Sequence, residues 1–320
     1  MKKHFYFLAG FLLAIQPLSA QKLDGFFSSS VEKEKSLEEK YLEKVDFDRF
    51  KVHLKELTKA PHIAGTPENE AVATYMTQIM SYAGMTVVSY PYDVYLPNDP
   101  GESLLQIVGP ETMTLSQQEG AIPGDEFSED PRLHKGFNAY SGSGDVTAEV
   151  VYVNYGVKAD FEKLEELGID LTGKVAIARY GGNFRGYKAK FAEQYGAVGL
   201  IIFTDPEDSG FKKGDVYPDG PFYNETTIQR GSLLTLDYTG DPLTPFEPAL
   251  PLNGDKKVKR LDPEDVAFHS IPVSPIGYGA AKEILSRMKG MDAPENWQGG
   301  LPITYKVTGG ADLKVRVKVE

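Results

Sequence analysis

The sequence predicts a mixed α/β fold, and three observations point to it. Apolar runs typical of buried strands alternate with segments of helical periodicity between residues 147 and 203. Turn-forming residues are frequent, with 32 Gly and 21 Pro among 320 residues. Hydrophobic residues make up 41% and charged residues 25%, which excludes collagen-like, coiled-coil and wholly disordered classes. The order strand, helix, strand, helix, strand implies parallel pairing in one compact module.

The first residues predict a secretory leader. Lys2 and Lys3 precede the apolar run 5–15, and Ala20 occupies the cleavage position. The run is shorter than the roughly 20 apolar residues that a membrane anchor needs. The pattern therefore predicts a signal peptide over residues 1–20, export to the periplasm or the extracellular space, and no membrane span after removal of the leader.

The overall charge and the absence of cysteine narrow the choice of partners and cofactors. The formal charge is -12, so the surface repels phosphate backbones and anionic lipids, and we expect no nucleic-acid partner. The chain has no Cys, which excludes disulfides, thiolate zinc sites and iron–sulfur clusters. A metal would need histidine, carboxylate or carbonyl ligands.

The pattern of the N-terminal third predicts helices followed by a strand. Residues 21–46 form a helical lead-in, and helical spacing continues to residue 57. Thr66 followed by Pro67 predicts an N-cap with proline in the first turn, and Gly84 is a natural terminator of that helix. Residues 85–95 are rich in Val and Tyr and predict a strand.

The remaining segments predict the α/β module itself. Residues 96–144 and 210–263 are rich in turn formers and predict loops. The alternating apolar and charged residues of the C-terminus predict a half-exposed strand. The predicted elements are the strands 147–155, 174–180, 199–203 and 313–319 and the helices 160–167, 187–195 and 279–288.

A search for catalytic motifs finds no complete apparatus in the residues alone. The chain has neither a Gly-x-Ser-x-Gly elbow nor a phosphate-binding loop. Outside the leader, the histidines are His53, His62, His134 and His269, and no two lie within one helical turn. The zinc signature His-Glu-x-x-His is absent. We interpret His53 as a residue on the face of a polar helix and His62 as a loop residue bonded to backbone.

Arg185 is the most suggestive side chain. It stands in Gly181-Gly182-Asn183-Phe184-Arg185-Gly186, a loop between a buried strand and a helix. An exposed arginine there could present a bidentate fork to a carboxylate. The residues alone leave a second interpretation equally open, in which Arg185 pairs with one of the many acids of the chain.

Several motifs follow one another in a characteristic order. They are Pro61-His62-Ile63-Ala64-Gly65-Thr66, Gly173-Lys174-Val175-Ala176-Ile177-Ala178-Arg179-Tyr180-Gly181, Phe184-Arg185-Gly186, Tyr217-Pro218-Asp219-Gly220, Gln229-Arg230-Gly231, Gly240-Asp241-Pro242-Leu243-Thr244-Pro245 and Ile271-Pro272-Val273-Ser274-Pro275-Ile276-Gly277-Tyr278. In this order they resemble the glutamate carboxypeptidase family, exported zinc exopeptidases also called N-acetylated alpha-linked acidic dipeptidases and related to the transferrin receptor. The resemblance runs from about residue 47 to the C-terminus.

The resemblance implies a domain organisation. Residues 47–95 would be the first piece of a zinc-peptidase domain, and residues 96–320 a protease-associated (apical) domain inserted into it. The family's zinc ligands and general-base glutamate would lie beyond this sequence. The resemblance therefore implies an incomplete peptidase domain, a chain that is inactive alone, and a peptide or acidic dipeptide substrate bound together with the missing catalytic half.

The resemblance also implies site residues. Arg185, beside Phe184, would hold the C-terminal carboxylate of the substrate, and Ser232 stands where the family has an asparagine. The backbone carbonyls of Thr244 and Glu247 would form part of a structural calcium site. Because hard cations need six or more oxygens, half of such a cage should bind calcium weakly.

Two other functions fit the same resemblance. One is a non-catalytic binding protein of the transferrin-receptor type, and the other is an aminopeptidase that carries this domain. The Phe184-Arg185-Gly186 loop favours the peptidase, because a receptor has no need of a carboxylate clamp. A homodimer is a further partner that the resemblance allows.

Overall fold

The computed structural model describes residues 23–109 and 111–320. The leader predicted at residues 1–20 lies outside the described residues. The chain divides into two compact units, one ending at Thr58 and the other running from Lys59 to Glu320. The described part of the first unit is helical, and the second unit contains the sheet.

The helices agree with the sequence-based expectations to within a few residues. Thr66 caps its helix as predicted, because its Oγ1 accepts a hydrogen bond from the Asn69 amide at 3.3 Å, and Pro67 follows in the first turn. The described residues form the helices α1 (Val31–Leu42), α2 (Phe47–Thr58), α3 (Pro67–Tyr82), α4 (Lys158–Glu166), α5 (Arg185–Gln194), α6 (Pro206–Ser209) and α7 (Tyr278–Leu285). No helix in residues 23–109 and 111–320 combines the length and apolar character that a bilayer span requires.

Most of the strands belong to one seven-stranded sheet. The described strands are β1 (Ser103–Val108), β2 (Met113–Thr114), β3 (Asn138–Ala139), β4 (Gly144–Tyr152), β5 (Val175–Arg179), β6 (Gly199–Phe203), β7 (Gly231–Ser232), β8 (Val273–Ile276) and β9 (Lys314–Val319). The large sheet has the order β2-β1-β9-β4-β5-β6-β8, and β3 pairs with β7 separately.

The sheet joins a parallel half to an antiparallel half. β4, β5, β6 and β8 pair in parallel, with α4 connecting β4 to β5 and α5 connecting β5 to β6. This confirms the strand, helix, strand, helix, strand module. β9 lies between β1 and β4 and is antiparallel to both. The mixed α/β fold class is therefore confirmed.

The core lies between the sheet and its helices. Every residue of β5 and β6 is buried, as the continuous apolar runs predicted. Phe161 of α4 and Ala189 of α5 are completely buried against this sheet. β9 alternates as predicted, because Val315 and Val317 are completely buried while the lysines and the arginine between them are wholly or partly exposed.

Two expectations about strands were wrong. Residues 85–95 form no strand, because no described strand pairs with them; from Asp93 onward the backbone bonds to loops instead, as where the Asp93 amide donates to the Ala249 carbonyl at 2.9 Å. β1 instead lies in the stretch 96–144 that we assigned to loops. A short strand interrupted by Ser103 and Gln106 gives a weak sequence signal, and β9, from the far end of the chain, completes its pairing.

Candidate functional site: the arginine loop

The loop that carries Arg185 begins where β5 ends. In open α/β sheets, ligands bind outside the carboxyl ends of the parallel strands, and this loop lies at that edge. Gly181 and Gly182 have φ of 105° and 73°, which side chains rarely adopt. A Cβ at Gly181 would lie 2.9 Å from the ring of Tyr155, so the loop packs closely on that ring.

Arg185 is half-buried at the first position of α5. Its Cζ lies 5.7 Å from the ring centroid of Tyr180 and 5.5 Å from that of Phe184. Its Nη1 lies 3.5 Å from the Ser232 carbonyl oxygen. A Cβ on Gly231 would lie 2.3 Å from Nη1, so only glycine leaves room for the guanidinium there. The arginine is thus held between two aromatic rings and the backbone of β7.

The guanidinium of Arg185 has unused hydrogen-bonding capacity. Its Nε is buried and has no hydrogen-bond partner among the described residues. Within the same residues, no acidic side chain lies within 4.0 Å of it, whereas Arg230 makes a two-point contact with Glu119. The interpretation in which Arg185 pairs with an acid of this chain does not describe the structure.

The structure brings the three predicted substrate-binding residues together. Phe184 keeps 41% of its surface exposed beside Arg185. Ser232 presents its carbonyl to Arg185, while its Oγ accepts the Leu234 amide at 3.1 Å. The hydroxyl oxygen of Ser232 is therefore an acceptor within its own turn, and its O–H group is not used by this bond.

A buried polar network, which the sequence analysis missed, lies beneath the loop. Arg179 is 2% exposed, donates from Nη2 to Asn154 Oδ1 at 2.9 Å, and stacks its Cζ 4.0 Å above the Tyr155 ring. The Tyr155 hydroxyl donates to Asp208 Oδ1 at 2.6 Å. Burial raises the pKa of Tyr155 to about 12 and also raises that of Asp208. An arginine that ends an otherwise apolar strand was the available signal.

Thr244 and Glu247 lie in a tight loop around Gly240. A Cβ on Gly240, whose φ is 108°, would lie 3.2 Å from the Thr244 carbonyl oxygen and 3.6 Å from that of Glu247. The two carbonyls therefore converge on the space above this glycine. Calcium takes six to eight oxygens, so this pair fits as part of a cage and not as a complete one.

The histidines of the described residues are spread over the chain. His62 Nδ1 contacts the Ala60 carbonyl at 3.0 Å, which confirms a loop residue bonded to backbone. His134 lies 3.8 Å from Asp99, and His269 lies between Glu193 and the Leu233 carbonyl. Over residues 23–109 and 111–320, no group of three or more His, Asp or Glu side chains is placed to hold a metal ion. The described residues do not fit a zinc site.

Comparison with known proteins places part of this sheet in a recognised family. Residues 146–236, from β4 to just beyond β7, match the PA domain family. A glutamate carboxypeptidase 2 homolog of Caenorhabditis elegans is 36% identical over 288 residues, which are 85% of this chain and 37% of that protein. Aminopeptidase NAALADL1 of Rattus norvegicus is 34% identical over 308 residues, 92% of this chain and 40% of that protein. The chain thus spans less than half the length of these relatives.

Solved structures of peptidases align more loosely. An aminopeptidase from Aneurinibacillus sp. strain AM-1 aligns with a TM-score of 0.38 and 20% identity, over 87% of this chain and 44% of that chain. A peptidase M28 precursor from Shewanella amazonensis aligns with a TM-score of 0.42 and 14% identity, over 83% and 45% of the two chains.

Because this segment matches the PA domain family, the chain is a protein that carries a protease-associated (PA) domain. The chain belongs to the glutamate carboxypeptidase family, as its motifs implied, and corresponds to part of the length of that family's curated members. The match covers 146–236, and the wider boundaries 47–95 and 96–320 remain predictions.

Proposed function

We propose that this chain is the substrate-lid portion of an exported, zinc-dependent exopeptidase, in which Arg185 binds the C-terminal carboxylate of a peptide. The observation that carries the proposal is the guanidinium of Arg185, whose Nε is buried without a partner. Leaving a buried donor unsatisfied is costly, and a carboxylate bound by the fork would satisfy it. Export would use the leader predicted at residues 1–20.

The neighbours of Arg185 support a role in reading a terminal carboxylate. Tyr180 and Phe184 flank the guanidinium, and the Ser232 carbonyl holds one end of it, so the planar fork is oriented before a ligand arrives. Ser232 has no side-chain amide, and its hydroxyl oxygen accepts the Leu234 amide. We therefore expect these residues to read the terminal carboxylate with little preference for an acidic side chain.

Peptide hydrolysis needs groups that the described residues do not supply. Zinc provides a Lewis acid and an activated water in metallopeptidases, but the described residues do not fit a zinc site. We therefore expect the chain alone to be inactive. Purified chain should not cleave acidic dipeptides in the presence of zinc; chelator-sensitive turnover proportional to protein would contradict this.

The proposal extends to a partial calcium site. The carbonyls of Thr244 and Glu247 would supply two ligand oxygens, and the others would come from outside this loop. Calcium titration of the chain should therefore give only weak binding. Tight, saturable binding by the chain alone would show that the cage is complete within it.

The carboxylate role of Arg185 is tested by comparing an acetylated dipeptide with its C-terminal amide. The Nε–Hε signal of Arg185 in the NMR spectrum of the full chain should shift with the free acid and not with the amide. Arg185→Ala should weaken binding of the free acid at least about tenfold, because a charge-assisted pair is worth about 1.5 to 3 kcal/mol. Arg185→Lys should restore only part of it.

Arg287→Ala is the matched control, since Arg287 is exposed just beyond the C-terminus of α7 and pairs with Glu283. It should bind the free acid like the native chain. If the acid and the amide bind equally, or if Arg185→Ala leaves binding unchanged, Arg185 is a structural residue. The alternative function, a non-catalytic binding protein of the receptor type, would then be better supported.

A further inference from the structure

Lys188 is a completely buried lysine on α5, one turn after Arg185. Lysine is almost never fully buried unless its charge is compensated. Among the described residues, no acidic side chain lies within 4.0 Å of Lys188, and the ammonium is satisfied by neutral oxygens instead. The oxygens that accept its hydrogen bonds therefore show which parts of the chain Lys188 connects.

The three acceptors of Lys188 come from two loops. Nζ donates to the Gly181 carbonyl at 2.6 Å and to Asn183 Oδ1 at 2.8 Å, both in the loop that leads to Arg185. It also donates to the carbonyl of Tyr155, in the loop that follows β4. An ammonium has three N–H groups, so all of them are used. Lys188 thus ties the arginine loop to the neighbouring loop.

The loop has few other bonds that could fix its shape. Gly181 and Gly182 both have a positive φ. Glycine is conformationally permissive, so these two residues by themselves do not hold the loop in one shape. The Asn183 amide donates to the Gly181 carbonyl at 2.8 Å, and the Asn183 side-chain amide reaches the Gly156 carbonyl at 3.3 Å. Lys188 contacts both ends of this turn, so removing it frees two of its acceptors at once.

Charged groups face Lys188 from four elements. Asp160 on α4 and Asp208 on α6 favour the ammonium, while Arg179 on β5 and Arg185 on its own helix oppose it. Burial dominates and lowers the pKa of Lys188 to about 7. Burial also raises the pKa of Asp160 and of Asp208. The number of donors on Lys188 therefore changes close to neutral pH.

We infer that Lys188 is a positioning residue for Arg185: its ammonium fixes the turn from Gly181 to Asn183 and thereby the direction in which the arginine fork points. The effect of Lys188 on carboxylate binding rests on the function proposed above, whereas its hydrogen bonds to the two loops do not. A neutral amine keeps two N–H groups and gains a lone pair, so one of the three oxygens loses its donor. The loop should therefore loosen as the pH rises through neutrality.

Hydrogen exchange of the loop amides tests the tie without any ligand. In the full chain, the Asn183 amide, corrected for intrinsic exchange, should lose protection as the pH rises from about 6 to about 9, while β5 stays protected. Lys188→Met should remove the pH dependence and leave the loop at least about tenfold less protected. Lys190→Met, on the same helix and partly exposed, should behave like the native chain. Equal protection of the Asn183 amide in the native chain and in Lys188→Met would overturn the inference.

A chemical rescue separates the ammonium from the packing of the side chain. The chain has no cysteine, so Lys188→Cys introduces a single thiol that bromoethylamine converts to a thioether analogue of lysine. Alkylation in denaturant followed by refolding should restore protection of the Asn183 amide and its pH dependence. Alkylation with bromopropane, which adds a similar volume without charge, should not. Equal rescue by both reagents would show that Lys188 acts only by filling space.

Binding of the free-acid dipeptide and its amide distinguishes a failure of the proposed function from a failure of the positioning role. If Arg185 binds the free-acid dipeptide, Lys188→Met should reduce its preference over the amide at least about fivefold, and Lys190→Met should not. If neither dipeptide binds the native chain, the proposed function fails, but the exchange and rescue results still decide the role of Lys188. If the preference survives in Lys188→Met, Lys188 does not position Arg185.

Discussion

Two apolar regions of the same compact unit have opposite environments. In the β5-α5-β6 segment, every strand residue is buried and α5 contributes Gly186, Lys188, Ala189 and Ala192 to the interior. In α3 and the residues that follow it, Val72 and Ile79 are only partly buried, and α3 has no buried residue. Met85, Val88, Tyr90 and Tyr92 are all exposed.

The difference shows that apolar composition alone does not bury a segment. The residues of β5 have a strand on each side and helices packed on the sheet, so both backbone and side chains are satisfied. No strand among residues 23–109 and 111–320 pairs with residues 85–92, and the first backbone hydrogen bond from this segment to a distant loop is at Asp93. An apolar stretch is buried only when another layer covers it.

The largest expected difference between the two regions is in hydrogen exchange. Amides of residues 86–92 should exchange near their intrinsic rates, while those of β5 should be slower by at least about three orders of magnitude, because only global opening exposes a central strand. Exchange measured by mass spectrometry or NMR would check this. Slow exchange at 86–92 would show that the segment has a partner in solution, such as a second copy of the chain.

Truncation of one side chain in each region should give the next largest effect. Ile201→Ala, in the fully buried β6, should lower the free energy of unfolding by about 2 to 5 kcal/mol, since it removes buried methylenes and leaves a cavity. Met76→Ala, in the exposed face of α3, should change it by less than about 0.5 kcal/mol. Urea denaturation gives both values. A comparable loss for Met76→Ala would contradict the exposed environment of α3.

The smallest effect is expected for substitutions of Phe246. This residue lies in the loop that accepts hydrogen bonds from the amides of Asp93 and Tyr95. Phe246 is 75% exposed with φ of 63°, a conformation that costs a non-glycine residue about 1 to 2 kcal/mol. Phe246→Gly should therefore be more stable than Phe246→Ala by up to about 1 kcal/mol, although both lose the contact with Tyr238. Thermal unfolding of the pair would measure it. Equal stability would mean that the turn relaxes without strain.

The loop of the candidate site could be predicted from the sequence, because its signals are local: the glycines before Arg185 predicted a loop between a strand and a helix. Phe184 and Ser232 were implied only by the resemblance to a family, and the structure places them beside Arg185. The burial of Lys188 could not be predicted in this way, and that of Arg179 was indicated only by its place at the end of an apolar strand. A lysine or an arginine near a helix or strand end is normally solvated, and only the packed structure shows that these two are buried.

The sequence by itself determined the order of the helices and of the buried strands β4 to β6, because periodicity and turn residues act within a few neighbours. Only the tertiary structure decided that β9 lies between β1 and β4, that residues 85–95 pair with none of the described strands, and that Lys188 joins two loops. Strand pairing and the burial of a charge depend on residues far apart in the chain, whose positions no local pattern records.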